Sequence, residues 1–130
     1  MIWHTWRVSL TILGVHHIAL QVDDLDAARR FYGEVMGLPE ITDRPDFDVD
    51  GAWFQLGAHE LHLGVEDGHT ASARQHFAVE VSDLDVAVAA IESHGVPVRK
   101  LGPTFPRAGN QAFLRDPSGN LIELNQPQQP

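Results

Sequence analysis

The sequence contains no cysteine. Disulfides, thiolate metal sites and a cysteine nucleophile are therefore excluded, and the absence suits a reducing compartment. Basic residues are scarce as well, nine Lys and Arg against eighteen Asp and Glu, which gives a formal charge of −9. A duplex binder needs a basic footprint to release counterions, and no basic cluster occurs here, so nucleic acid is not an expected partner. No stretch approaches the ~20 apolar residues that a membrane-spanning helix needs. Met1 to Gly14 lacks the sustained apolar core and small-residue cleavage site of a signal peptide. The expectation is a soluble, cytoplasmic protein with no membrane partner.

What is present points to one compact fold. A chain of 130 residues is long enough for one domain and short for two, and a hydrophobic fraction of 43% is that of a globular protein, not a disordered one. Histidine is abundant, with eight copies, and this is the first hint of metal chemistry.

The most informative feature is an internal repeat. HIALQVDDLD (His17–Asp26) aligns without a gap on HFAVEVSDLD (His76–Asp85), at an offset of 59 residues. Each copy continues into a helical pattern and a matching turn, Gly37-Leu38-Pro39 in one and Gly95-Val96-Pro97 in the other. Two copies are too few for a solenoid and suit one domain with pseudo-two-fold symmetry. Each copy opens with the alternation of a strand that has one buried face: Ile18, Leu20 and Val22 oppose His17, Ala19 and Gln21, while Phe77, Val79 and Val81 oppose His76, Ala78 and Glu80.

Helices follow at Leu25 to Met36, capped by Asp23 or Asp24, and at Leu84 to His94, capped by Ser82 or Asp83. Their apolar stripes are Leu25, Ala28, Phe31, Tyr32, Val35 and Leu84, Ala87, Val88, Ile91. Strand material follows near 40–42, 52–56 and 60–65, and again near 98–101, 112–115 and 121–125. The order is β-α-β-β-β, twice. The sequence thus predicts an α+β chain with module 1 over about 13–66 and module 2 over about 74–127. Residues 1–12 are an N-terminal extension within a single domain, 1–130.

Alternation also assigns the polar side chains. Leu61, Leu63 and Val65 take the helix side of their strand and leave His62 opposite, and Ile122 and Leu124 do the same for Glu123. His17, His76, His62 and Glu123 therefore project from the helix-free face, paired by the repeat as His17 with His76 and His62 with Glu123. A two-fold axis would bring them together from two half-sheets. Imidazole and carboxylate suit Zn, Ni, Fe, Co or Mn, and three or four protein ligands leave positions open for water or substrate. His4, His59, His69 and His94 read as solvated. His16 reads as a structural residue facing the helix side.

With these residues laid out, the chain resembles a small member of the vicinal oxygen chelate superfamily, which includes glyoxalase I, fosfomycin-resistance thiol transferases, extradiol dioxygenases and bleomycin-binding proteins. The anchors are HIALQVDDL from His17, Phe31-Tyr32 near Gly37-Leu38, GAWF from Gly51, Leu61-His62-Leu63, HFAV from His76 and LRDPSGNLIEL from Leu114. The resemblance implies two βαβββ modules curled into a cup-shaped mixed sheet, helices outside, around a divalent metal that polarises vicinal substrate oxygens. It further implies a homodimer whose sites lie at the subunit interface, His17 coming from one chain and His76 with Glu123 from the other.

The position of His62 carries a carboxylate in many glyoxalases, where it binds metal and moves the substrate proton. Here His62 is expected to be a fourth ligand or the proton-transfer group. The expected function is a metal-dependent, glyoxalase-like lyase or isomerase acting on a small oxygenated substrate. The alternatives are an extradiol-type Fe(II) dioxygenase, a thiol transferase of the fosfomycin-resistance type, or a non-catalytic small-molecule binder. Trp53 and Phe54 are candidates for the cup lining, Arg107 and Arg115 for holding an anionic substrate group, and the stretches 42–50 and 67–74 for much of the wall.

Overall fold

The computed structural model describes residues 9–102 and 104–128, so the extension up to residue 8, with His4, lies outside the described residues. The first repeat folds as β1 (His17–Val22), α1 (Leu25–Arg30), a π-helical turn over Phe31–Val35, β2 (Glu40–Ile41), β3 (Gly51–Leu56) and β4 (His59–Val65). The second folds as β5 (His76–Glu80), α2 (Leu84–Glu92), β6 (Arg99–Lys100), β7 (Asn110–Arg115) and β8 (Leu121–Gln126). Each makes a four-stranded mixed sheet, in order β1-β4-β3-β2 and β5-β8-β7-β6. In both, the first strand runs parallel to the last, and the remaining pairs are antiparallel. The α+β architecture of two βαβββ modules is therefore as the repeat implies.

The alternation that announced the strands also builds the core. Val22, Ala52, Phe54, Leu61 and Leu63 are buried against Ala28, Phe31 and Tyr32, and Ala112, Leu114, Ile122 and Leu124 against Leu84, Val88 and Ile91. These residues form one continuous cluster across both modules. Asp24 and Asp83 cap the two helices, their carboxylates accepting from the Ala27 and Val86 amides at 3.0 and 3.1 Å. Each cap contributes about 1 kcal/mol. Gly37 and Gly95 take φ of 70° and 79°, the left-handed conformation expected of a residue that ends a helix.

The first helix differs from its expected form. It is α-helical only to Arg30, after which the Met36 amide bonds to the Phe31 carbonyl at 2.9 Å, five residues back. The wider turn carries Tyr32, which is fully buried and donates its hydroxyl to Asp116 Oδ2 at 2.7 Å. Asp116 lies in the β7–β8 turn of the other module. Its second oxygen accepts from the Ser118 and Asn120 amides, and Asn120 Nδ2 reaches both Asp116 Oδ2 and the Gln21 carbonyl of β1. Ser118 Oγ donates to Asp23 Oδ1 and accepts from the Asp23 amide. The β7–β8 turn is thus the polar joint between the modules. His69 belongs to it too: contrary to the solvated reading, it is half-buried with Nε2 2.9 Å from Asn120 Oδ1.

Tyr32 is the sole tyrosine, so its ionisation can be followed without interference. Burial, then the adjacent Asp116 charge and the hydrogen bond to it, push its hydroxyl well above the usual tyrosine range. The unfolded chain would ionise near pH 10 while the folded chain stays protonated, so the stability is full below about pH 10 and falls above it. The limiting slope is about 1.4 kcal/mol per pH unit. In urea titrations, the advantage of wild type over Tyr32→Phe is expected to shrink between about pH 10 and 11.5; a constant difference would contradict it.

Candidate metal centre

Strand register arranges the helix-free face in rows. In module 1 these read His17–Glu60–Gln55, Ala19–His62–Trp53 and Gln21–Gly64–Gly51 across β1, β4 and β3. In module 2 they read His76–Leu121–Arg115, Ala78–Glu123–Phe113 and Glu80–Asn125–Gln111 across β5, β8 and β7. The equivalences drawn from the repeat hold in register, His17 matching His76 and His62 matching Glu123, and the register adds a third, Trp53 matching Phe113.

The second module presents two donors aimed at one point. His76 Nδ1 lies 2.8 Å from the Arg74 carbonyl, which can only accept, so Nδ1 carries a proton, and whenever the ring is neutral Nε2 carries the lone pair. That lone pair faces Glu123 Oε1 across 3.1 Å. Glu123 Oε2 is occupied by the amide groups of Asn125 at 2.8 Å and Gln111 at 3.2 Å. The Glu123 side chain is 8% exposed and that of His76 35%. Two acceptors facing each other need a cation or a proton between them, and the partners of the remote nitrogen and oxygen fix both groups for that role. The donor set fits a divalent metal.

In the first module His17 and His62 stack face to face, ring centroids 4.1 Å and planes 19° apart, and Trp53 covers the other side of His62 at 3.9 Å and 3°. Phe47, in the loop between β2 and β3, packs on Trp53 at 5.9 Å, so this loop does reach the wall of the site. His16 lies outside the strand and is exposed, with Nδ1 3.0 Å from Nδ1 of His17; it faces its neighbour, not the helix side as expected.

The structure brings the four residues together in two pairs. Among the described residues, no group of three or more His, Asp or Glu is placed to hold one metal within a single chain. Of the lining candidates, Trp53 is on the helix-free face, whereas Phe54 is fully buried on the helix side, as its place one residue on requires. Arg115 gives its guanidinium to the Gly119 and Ala73 carbonyls, bracing two turns, and Arg107 is exposed in the turn before β7 with φ of 69°. Glu60, whose Oε1 is 2.9 Å from His62 Nε2, was not singled out from the sequence, although its place two residues before His62 puts it on the same face.

Known proteins resemble this chain in sequence or in fold. Lactoylglutathione lyase from Haemophilus influenzae is 30% identical over 83% of this chain and 88% of its own. A probable lactoylglutathione lyase from Vibrio parahaemolyticus is 32% identical over 87% and 90%. Among solved structures, a Bacillus anthracis protein assigned to the glyoxalase family superposes with a TM-score of 0.80 at 28% identity, covering 93% of this chain and all of its own. TnmS3, an antibiotic binding protein from Streptomyces, gives 0.71 at 27%, covering 92% and 100%. The fosfomycin resistance protein FosX from Listeria monocytogenes, at 21% identity, shares the fold with a TM-score of 0.78. No helix among the described residues is long and apolar enough to cross a membrane. The family model of the Glyoxalase/Bleomycin resistance protein/Dioxygenase superfamily matches residues 14–124, and the chain belongs to that superfamily.

Proposed function

We propose that the chain is a divalent-metal-dependent, glyoxalase-like enzyme of the lyase or isomerase type, acting on a small oxygenated substrate. The observation that carries this reading is the facing pair His76 Nε2 and Glu123 Oε1, each with its other polar atom already engaged. A pair held this way takes a proton or a cation between its atoms, and its remote hydrogen bonds leave both free to face a metal. His17 completes the donor set from a second copy of the chain, since among the described residues of one chain no three such donors come together. The bound metal would supply Lewis acidity to substrate oxygens. The sequence leaves His62, beside His17, open as a fourth ligand or the proton-transfer group, and Trp53 and Phe113 wall the site. Asn125 and Gln111 hold the Glu123 carboxylate on the side away from His76. Zn, Ni, Fe, Co and Mn all suit the donors, and the cytoplasm is the proposed location.

The direct test is reconstitution of chelator-treated protein with Fe(II), Mn(II), Ni(II) and Zn(II), followed by metal analysis and activity screening, beginning with the hemithioacetal of methylglyoxal. About one equivalent of metal per chain and metal-dependent turnover are expected. Protein that retains well under one equivalent of every metal, and in which His17→Ala changes nothing, would refute the enzyme reading. It would favour a binding role of the kind that the name of TnmS3 describes.

A further inference from the structure

His62 takes the place that Glu123 has in the second module, yet it meets its neighbouring histidine differently. His76 and Glu123 converge atom to atom, whereas His17 and His62 lie face to face with their planes 19° apart. The lone pair of an imidazole lies in the plane of its ring. Two nearly parallel stacked rings therefore send their lone pairs side by side, not to a common point.

Three contacts hold His62 in that pose. Trp53 covers one face at 3.9 Å and 3°, and His17 covers the other at 4.1 Å. Glu60 Oε1 takes the Nε2 edge at 2.9 Å; a carboxylate accepts, so Nε2 carries the proton and Nδ1 the lone pair. Turning the ring to share a metal with His17 would break the Glu60 bond and both stacks. The second module has no need of such an anchor. Leu121 occupies the position of Glu60 there, and Glu123 is held from the row beyond by Gln111 and Asn125.

Resting on the metal-centre reading above, we propose that His62 is not a metal ligand but the middle plate of a stack that fixes the His17 ring. Glu60 is then the residue that positions it, and His17, His76 and Glu123 are the whole protein donor set. A histidine at this position thus replaces a ligand with a brace, which leaves one more coordination position for substrate or water.

The experiment is Zn(II) affinity by competition with a chromophoric chelator, together with the visible absorption of the Co(II) form, on the full chain. His62→Phe keeps a flat ring in the stack but has no nitrogen. Its Zn(II) affinity is expected within about threefold of wild type, with unchanged Co(II) bands, whereas His17→Phe should lose at least about a hundredfold. His62→Ala and Glu60→Ala, which loosen the His17 ring, should each lose about three- to tenfold, and Glu60→Gln, which can still accept at Oε1, should recover most of it. A hundredfold loss or a changed Co(II) spectrum in His62→Phe, or the same loss in His62→Ala should the Phe variant not fold, overturns this assignment alone. A wild-type chain that takes up no divalent metal overturns the metal reading and this assignment with it.

Discussion

Asp116→Ala is expected to destabilise the protein by about 3–4 kcal/mol, the largest loss of any single polar substitution outside the candidate centre. Asp116 is 5% exposed, and its carboxylate accepts four hydrogen bonds, from the Tyr32 hydroxyl, the Ser118 and Asn120 amides and Asn120 Nδ2. Removing it strands a fully buried hydroxyl and a buried amide, each worth about 1–3 kcal/mol when left unpaired. For a domain of this size the loss should lower Tm by about 10–15 °C. Tyr32→Phe removes the donor and leaves no orphan hydroxyl, so about 1–2 kcal/mol is expected for it. A double-mutant cycle between the two should return a coupling of about 1 kcal/mol or more, because they touch. A loss below about 1 kcal/mol for Asp116→Ala would mean that water replaces the network and that the joint between modules is not a stabilising one.

The network shows where the reading of the sequence stops. Much that local periodicity governs was legible: the two strand–helix starts, each cap to within two adjacent residues, both left-handed glycines, and the face on which His17, His62, His76 and Glu123 lie. Strand alternation is a one-dimensional rule, and it carries facing without coordinates. Tyr32 was legible as part of an apolar stripe, but its hydroxyl partner is 84 residues away, and nothing in the local pattern of DPSGN distinguishes a buried joint from a surface turn. The π-helical turn that presents Tyr32 escaped for the same reason, since its extra residue fits within a 3.6 stripe. His69 escaped with it. Facing is also a weaker statement than geometry. His62 and Glu123 share a face and a repeat position, yet side-chain torsions make one stack and the other converge.

That difference leads to the substitution with the largest expected effect on the centre itself. If His17 and Glu123 hold the metal as proposed, His17→Ala and Glu123→Ala should each retain less than about a tenth of an equivalent when purified alone, because one donor is missing from every site. If the site is shared between two copies, the damage is placed unequally when the variants are combined. In a two-fold dimer of one His17→Ala chain and one Glu123→Ala chain, one site lacks both residues. The other takes His17 from the Glu123→Ala chain and His76 with Glu123 from the His17→Ala chain, and is intact. Co-expression with two affinity tags and sequential purification isolates this mixed dimer. It is expected to bind about one metal per dimer, roughly half the wild-type amount, and to recover about half of any metal-dependent turnover. A centre assembled within one chain predicts the opposite, since each chain would then carry its own defect and the mixed dimer would stay near zero. The two side-chain pairs, His17 against His62 and His76 against Glu123, with no set of three among the described residues of one chain, are why recovery is the expected result.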